Sequence, residues 1–382
     1  MTSKERILTV LQGKIPDRVP ICLFVQQEYL SYYFNKVETS RIVDAVALAK
    51  ELDFDVLTRD TFHIQPYFFR KSYPNWKVEK SEELIGDIMH RNVVITTPEG
   101  KLTQVEVAPY DPSTISGIHF TTKKYLLEDL DTDYVLFRKY LPKADKSHFE
   151  EMLKHANWVV NEVGDAGLAC PWGMGGVYNF ATTLRSIEDM MVDPYEDEEA
   201  YHDMMQFFTD MIVQDYEWMC DTPYQMMGLQ ANIANAGVMS LGFFEEYVMP
   251  YEEQILKAIK KRGKFSLYHN CGIARGLYPA YAEMNMTLFE TLSPAPQGDN
   301  ILSEAKELLG KNHVLSGNLD QISFLKTASV SEVENATIEI INTMKENGNY
   351  IFACSDYLEK ETPLDNVKAV ISAAKSVGYY TK

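Results

Sequence analysis

Eight short segments rich in apolar and β-branched residues, each ending in small or polar residues, recur along the 382-residue chain. Amphipathic patterns typical of helices, such as residues 245–261, 301–311 and 331–347, separate most of them. Strands that alternate with helices pair in parallel, and eight of them predict an α/β fold of the (β/α)8 TIM-barrel type. The predicted strands are residues 19–25, 55–59, 168–172, 224–230, 264–271, 287–292, 314–318 and 350–355.

A stretch of roughly a hundred residues between the second and third predicted strands is too long for a simple connection, so it should carry structure of its own. Residues 92–97 and 102–107 flank the turn sequence Pro98-Glu99-Gly100-Lys101, which predicts a β-hairpin. The sequence contains no low-complexity linker and no internal repeat. We therefore expect one TIM-barrel domain over residues 1–382, with an inserted β-hairpin and helical cap at about residues 63–165.

The charge and composition of the chain restrict its partners. Acidic residues outnumber basic ones by 55 to 36, and the formal net charge of −19 would repel a nucleic acid. No apolar run is long enough to cross a bilayer, and the first residues lack the apolar core of a signal peptide. The 5 cysteines are widely scattered, which suits free thiols or metal ligands in a reducing compartment. We expect a cytoplasmic protein without membrane or nucleic-acid partners. The oligomeric state is left open, a homo-oligomer included.

A candidate metal site lies at two predicted strand ends. His269-Asn270-Cys271 ends the fifth strand, and Cys354 lies at the end of the eighth. Side chains two residues apart on a strand point to one face, so His269 and Cys271 can share a metal. Working residues of a TIM barrel sit at the C-terminal strand ends, where Cys354 would supply a third ligand from across the mouth. A Cys2His set leaves the fourth position of Zn²⁺ open, as catalytic sites do. The alternative is two buried core thiols and a satisfied histidine.

Two acidic residues also fall at predicted strand ends. Glu290 ends the sixth strand and could be a fourth zinc ligand or a proton donor. Its alternative role is that of a carboxylate that orients His269. Asp60 follows the second strand and is a catalytic candidate by position, although an aspartate there is also a common helix cap.

These motifs resemble those of the uroporphyrinogen decarboxylase-like superfamily, and within it the zinc-dependent corrinoid methyltransferase branch. The resemblance covers nearly the whole chain, and its specific part is the H-x-C motif with the distant cysteine. It implies that His269, Cys271 and Cys354 bind zinc. The true decarboxylases are a poorer match, because residues 23–30 hold no arginine where those enzymes carry an arginine-rich segment for substrate carboxylates. Other similar segments are residues 2–6, 16–20, 97–100, 290–294, 317–320 and 361–363.

The resemblance further implies methyl transfer through a corrinoid carried by a partner protein, because the chain has no candidate cobalamin-binding domain and no D-x-H-x-x-G segment. Zinc would either hold a thiolate acceptor or polarise the oxygen of a methyl ether. Aromatic residues make up 12% of the chain, and several should line the barrel mouth or its cap. Such a lining suits an aryl substrate, while packing of the cap is the alternative explanation. The residues are Phe24, Tyr29, Phe62, Tyr67, Phe68, Tyr110, Trp172, Tyr178 and Tyr357.

The predicted function is therefore O-demethylation, in which a methyl group moves from a methoxylated, aromatic compound to a Co(I) corrinoid protein. Zn²⁺ and the partner's corrinoid are the expected cofactors. Phe24, Trp172, Gln230, Asn232 and Asn318 are candidate contacts for substrate or corrinoid, and the three amides could instead close loops. Two other functions stay open: a methylcorrinoid-to-thiol transferase of the coenzyme M type, and a metal-free member that binds or decarboxylates a tetrapyrrole.

Overall fold

The computed structural model describes residues 1–61, 66–110 and 120–380, without the side chains of Asp60 and Thr61. Eleven strands lie in this part of the chain. They are β1 (Val56–Thr61), β2 (Lys77–Ile85), β3 (Ile88–Thr96), β4 (Lys101–Pro109), β5 (Thr121–Lys124), β6 (Gly167–Trp172), β7 (Met226–Gln230), β8 (Phe265–His269), β9 (Leu288–Thr291), β10 (Val314–Leu319) and β11 (Tyr350–Cys354).

Seven of these strands form a parallel α/β sheet in the order β1-β6-β7-β8-β9-β10-β11. Each strand pairs in parallel with its neighbour. The seven correspond to the second to eighth strands predicted from the sequence, with ends that agree within two residues. Because consecutive strands of this sheet are neighbours and parallel, their C-terminal ends meet at one edge, where working residues are expected.

The first predicted strand, residues 19–25, is not a regular strand. Ile21 forms an isolated parallel bridge with Phe352 of β11, and its carbonyl accepts a hydrogen bond from Asp55 N at 2.8 Å. The segment therefore contacts both edges of the parallel sheet. Two features interrupt its ladder: Pro20 has no N–H, and the Ile21 N–H donates to the Asp55 carboxylate at 2.8 Å instead of to a strand. The prediction of a regular first strand is wrong for this reason.

Helices connect most of the parallel strands. The predicted helix at residues 245–261 is divided at Val248, and Pro250 lies in the first turn of its second part, a position that proline favours. Within the described residues, none of the helices has the length and apolar content needed to cross a membrane. The helices are α1 (Ser3–Leu11), α2 (Gln27–Phe34), α3 (Val43–Leu52), α4 (Tyr67–Arg70), α5 (Val135–Tyr140), α6 (Lys146–Val163), α7 (Val177–Leu184), α8 (Ile187–Glu196), α9 (Glu198–Cys220), α10 (Leu241–Tyr247), α11 (Met249–Lys261), α12 (Tyr278–Glu283), α13 (Leu302–Leu308), α14 (Val330–Met344) and α15 (Leu364–Gly378).

Alternation along the strands gives the parallel sheet two different faces. Leu57, Leu267 and Ile351 belong to a small core that the strands share with α1. Residues of the opposite face, such as Phe289, pack with the helices in a larger core. Toward the C-terminal strand ends, the strand face that contributes to the small core carries buried polar groups instead of apolar ones. His269 is an example, because it lies two residues after Leu267 on β8 and so on the same face. The inner face thus changes from apolar to polar toward the C-terminal strand ends.

An insertion with its own antiparallel sheet, in the order β2-β3-β4-β5, separates β1 from β6. The hairpin predicted at residues 92–107 corresponds to β3 and β4, and Thr97 N donates to Gly100 O across its turn at 2.8 Å. The register places Val93 opposite Gln104, and both side chains are buried. One face of the inserted sheet is therefore covered by the rest of the protein.

Candidate active site

Three side chains with metal-binding atoms lie together at the C-terminal ends of β8 and β11. His269 ends β8, Cys271 follows two residues later, and Asp356 lies two residues beyond β11. One ligand atom from each lies within 4.8 Å of the other two. The H-x-C motif thus brings its two side chains together, as the strand spacing predicts, and Asp356 takes the third place in this group.

Cys354 is not part of the group, which corrects the prediction of a Cys2His set. Cys354 packs with Tyr350 and Phe352 in the larger core on the helix side of the sheet, whereas Ile351 belongs to the small inner core. Because side chains alternate along β11, Cys354 points away from the interior that His269 faces. Burial raises the pKa of the Cys354 thiol to about 12. Strand spacing gave no signal for Asp356, because an i, i+2 relation to Cys354 would put both side chains on one face; β11 ends at Cys354, and Asp356 lies in the loop that follows.

Glu290 joins the His269 ring to a buried arginine. His269 Nδ1 lies 3.0 Å from Glu290 Oε1. Arg59 Nε donates to the same oxygen at 3.1 Å, and Arg59 Nη2 donates to Glu290 Oε2. A carboxylate only accepts hydrogen bonds, so Nδ1 carries a proton and Nε2 is the nitrogen left for a metal. With both oxygens engaged, Glu290 fits the orienting role better than that of a metal ligand or proton donor.

The charges of these groups shift their pKa values strongly. Burial alone would lower the pKa of His269, but hydrogen bonds with Cys271 and Glu290 and the charges of Glu290 and Asp356 raise it to about 10. Burial would raise the pKa of Glu290, but Arg59 and His269 lower it to about 2. Burial raises the pKa of Asp356. The acidic groups therefore favour a cation among them, and a proton on His269 would compete with a metal ion for that place.

Two of the predicted aromatic contacts surround this ion pair. The Trp172 ring meets the His269 ring edge-on, with centroids 5.5 Å apart. The Arg59 guanidinium lies 5.8 Å from the Trp172 centroid and 5.5 Å from that of Phe24, within cation–π range. Phe24 in turn packs edge-on against Tyr357 at 6.2 Å. Phe24 and Trp172 therefore lie beside the metal-ligand group and help to hold Arg59.

The remaining predicted residues have different surroundings. Asn232 Oδ1 accepts a hydrogen bond from Asn179 Nδ2 at 2.8 Å, and Asn318 Nδ2 donates to a backbone carbonyl, so these two amides close loops. Gln230 is exposed and lies opposite His269 in the register of β7 and β8. Gln230 is thus placed to contact a ligand. The Asp60 side chain lies outside the described residues, as does Phe62.

A cavity of about 350 Å³ adjoins this group of residues. Trp172 and Gln230 form part of its wall at the C-terminal edge of the parallel sheet, and Val93 and Gln104 of the inserted sheet form another part. The volume falls in the range of small-molecule sites. Trp172 and Gln230 both flank His269, so the cavity comes within one side chain of His269, although none of the three potential metal ligands lines it. Sequence reasoning missed this cavity, since separate elements supply its lining.

The chain is similar to known methyltransferases and to the uroporphyrinogen decarboxylase family. Methylcobamide:CoM methyltransferase MtbA of Methanosarcina mazei is 26% identical over 140 residues, which are 36% of this chain and 38% of that protein. This match spans well under half of either protein. The solved structure of a methyltransferase from Methanosarcina mazei shares the fold, with a TM-score of 0.67, 15% identity and coverage of 98% of this chain and 99% of that one. The sequence model of the uroporphyrinogen decarboxylase (URO-D) family matches residues 137–377, more than half of the chain. The chain therefore belongs to the uroporphyrinogen decarboxylase (URO-D) family.

Proposed function

We propose that this protein is a zinc-dependent corrinoid methyltransferase that moves a methyl group from a methoxylated aromatic compound to the Co(I) corrinoid of a partner protein. The observation that carries the proposal is the group of His269, Cys271 and Asp356, with the neighbours Trp172 and Gln230 of His269 in the wall of a cavity that also has aromatic and methionine side chains. The names of the similar proteins support methyl transfer as the class of reaction. The choice of an aryl ether rests on the cavity.

The donor set suits Zn²⁺. Nitrogen, sulfur and oxygen donors bind zinc at 2.0–2.3 Å, so ligands of one tetrahedral ion lie about 3.5 Å apart. The three atoms within 4.8 Å of one another need only a small contraction to reach this spacing. The bond from His269 Nδ1 to Glu290 is the support that zinc-binding histidines usually have. With one coordination position left open, a bound zinc would act as a Lewis acid on the ether oxygen.

The residues of the chain would position the ether and balance the charges around it. Glu290 fixes the His269 ring, and Arg59 neutralises the buried Glu290 carboxylate. Trp172 separates this ion pair from the cavity that would hold the aromatic ring. In the transfer, the electron pair of Co(I) forms the new bond to the methyl carbon. The electrons of the broken C–O bond stay on the oxygen, which leaves as a phenolate and takes a proton from water.

Thiol methylation is the second candidate, because the curated relative is named a methylcobamide:CoM methyltransferase. In that reaction the open zinc position would hold an acceptor thiolate. Methyl-Co(III) corrinoid protein supplied with candidate thiols, coenzyme M included, separates the two reactions. O-demethylation predicts no thiol-dependent turnover. Decarboxylation of a tetrapyrrole is less favoured, since Arg59 is engaged by Glu290 and is not free to bind substrate carboxylates.

We also propose that residues 19–25 complete the parallel sheet as the irregular eighth member of a barrel. The hydrogen bonds of this segment to both sheet edges support the closure. The insertion of about residues 63–165 would then cap the mouth of one barrel domain, and the inserted sheet does line the cavity there. The corrinoid protein would dock at the same mouth.

The first test is the zinc content of anaerobically purified protein. We expect about one zinc per chain in the wild type and its loss in Cys271→Ser. Cys354→Ser is the matched control and should retain zinc, because Cys354 lies on the helix side of β11. Wild-type protein is then supplied with methoxyarenes and a Co(I) corrinoid protein, and release of the phenol is measured. Metal-free wild-type protein, or zinc without phenol release from any methoxyarene, would refute the proposed reaction.

A further inference from the structure

The inserted sheet presents a buried hydrogen-bond acceptor to the cavity. Gln104 of β4 lines the cavity with only 7% of its surface exposed. Gln104 Nε2 lies 3.4 Å from Glu106 Oε1. Because a carboxylate only accepts, this contact fixes which end of the amide is the nitrogen. The other end, Oε1, is buried and has no hydrogen-bond partner in the described part of the chain, an unfavourable state that a donor from a ligand would relieve.

Asp215 of α9 is a second buried acceptor in the cavity wall, at 8% exposure. Its neighbour His148 lies between Arg70 and Asp215, with Arg70 Nη2 2.8 Å from His148 Nδ1. A guanidinium only donates, so Nδ1 accepts and the ring proton sits on Nε2, which faces Asp215 Oδ1 at 3.4 Å. This contact is long, and a carboxylate has several lone-pair sites, so Asp215 has capacity to accept a further hydrogen bond.

The cation in the described cavity wall is already engaged. Arg91 Nε lies 2.9 Å from Glu82 Oε1, and Arg91 Nη1 lies 3.6 Å from Glu106 Oε2. The same guanidinium lies 3.8 Å from the ring centroid of Phe120. The wall therefore offers acceptors in Gln104 and Asp215 without an unpaired cation among its described residues. A ligand with a hydrogen-bond donor fits this pattern, and a ligand with a carboxylate does not.

Much of the remaining wall consists of flat or polarisable side chains. Tyr67 and Phe69 come from α4, Phe180 from α7, and Trp172 and Met174 from the end of β6 and the loop that follows. Aromatic rings pack well against such side chains, by edge-to-face contact with rings and by contact with methionine sulfur. Trp172 marks the side of the cavity nearest His269. An aromatic ligand would thus have one end toward the potential metal ligands.

We propose that the cavity selects a neutral methoxyphenol, with its methoxy group toward the metal-ligand group and its hydroxyl proton donated to one of the two buried acceptors, Gln104 Oε1 or the Asp215 carboxylate. The inference rests on the proposed O-demethylation and adds the class of methoxyarene that is accepted. The URO-D match begins at residue 137, so Gln104 lies outside the matched region. Substrate selection would then belong in part to the insertion, while the strand ends shared with the family carry the chemistry.

Calorimetric titration of the purified full-length protein with three ligands tests the proposal. The ligands are 3-methoxyphenol, anisole, which lacks the hydroxyl, and 3-methoxybenzoate, which carries a carboxylate. We expect 3-methoxyphenol to bind about tenfold more tightly than anisole, the factor of one good hydrogen bond, and 3-methoxybenzoate to bind more weakly than either. Gln104→Leu or Asp215→Asn, whichever alters the acceptor that the hydroxyl uses, should reduce the preference for the phenol over anisole severalfold. Asp210→Asn, at an exposed position of the same helix, should leave the preference unchanged.

Equal affinities for methoxyphenol and anisole, or a preference for methoxybenzoate, would overturn the inference. So would an unchanged preference in both cavity variants. The ligand series in the wild type needs no variant to fold, so misfolding of a variant cannot hide a negative result. Binding is measured without the corrinoid protein, which separates the two proposals. Selective phenol binding without methyl transfer would count against the proposed function alone, and transfer from methoxybenzoate in preference to methoxyphenol would count against the inference alone.

Discussion

Replacement of Arg59 by methionine tests the charge balance on which the candidate site depends. Arg59 and Glu290 are 5% and 4% exposed, and two Arg59 nitrogens donate to the Glu290 carboxylate. Methionine keeps the apolar stem but removes the guanidinium, the cation that contacts both Glu290 oxygens, and leaves His269 as the remaining partner on Oε1. Removal of one partner from a buried ion pair costs about 3–5 kcal/mol of unfolding free energy. We expect Arg59→Met to lose stability in this range, measured by urea unfolding of chelator-treated protein.

Two controls separate this effect from general damage. Arg138→Met removes an arginine from the exposed pair with Asp203, where the side chains are 48% and 41% exposed, and should cost at most about 1 kcal/mol. The double variant Arg59→Met with Glu290→Gln removes the uncompensated charge and should be more stable than Arg59→Met alone. A loss for Arg59→Met no larger than that for Arg138→Met would refute the reasoning, as would a double variant that gains no stability over the single one.

Three further predictions concern other parts of the site and its support. Glu252 is fully buried, and burial raises its pKa from 4.5 to about 8. Between pH 4.5 and pH 8 the folded state therefore binds more protons than the unfolded state, and the free energy of unfolding falls with rising pH by up to about 1.4 kcal/mol per pH unit. Glu252→Gln should remove this loss, as urea unfolding at pH 5 and pH 8 would show. Gly228→Ala places a Cβ 2.6 Å from the Trp172 ring and should weaken binding of aromatic ligands severalfold by calorimetry. Glu290→Gln should lower zinc affinity about 10- to 100-fold in a chelator competition, whereas Asp320→Asn should not change it.

Features that depend on residues close together in the sequence were predicted correctly, and features that depend on distant residues were not. Strand positions follow from short apolar runs, and seven of the eight are confirmed. The first failed because the Asp55 carboxylate takes the Ile21 N–H, a contact between residues 34 positions apart that no local pattern shows. The predicted helix at residues 245–261 was located correctly, apart from its division at Val248.

The candidate metal site shows the same limit. His269 and Cys271 could be paired from sequence because their spacing alone puts them on one face. For β11, the run Tyr350-Ile351-Phe352-Ala353-Cys354 is apolar throughout and buried on both faces, so no polar alternation tells which residues face inward. Only the packed structure puts Cys354 on the helix side. Arg59 was likewise not recognised as the partner of Glu290, since 231 positions separate the two residues.

The charges of the site give a reason to favour a neutral ether over a thiolate in the open position. A zinc ion bound by a neutral His269, a Cys271 thiolate and an Asp356 carboxylate would form a group of zero net charge. Arg59 is held by Glu290 and has no charge to spare for this group. A thiolate ligand would therefore add an uncompensated negative charge in a largely buried place, which is costly, whereas a methyl ether would leave the balance unchanged. Substitution of Asp356 by asparagine removes one negative charge, so a thiolate ligand would then restore the zero net charge and the preference would reverse. Methylation of a thiol acceptor by Asp356→Asn, under conditions where the wild type shows none, would be the direct consequence.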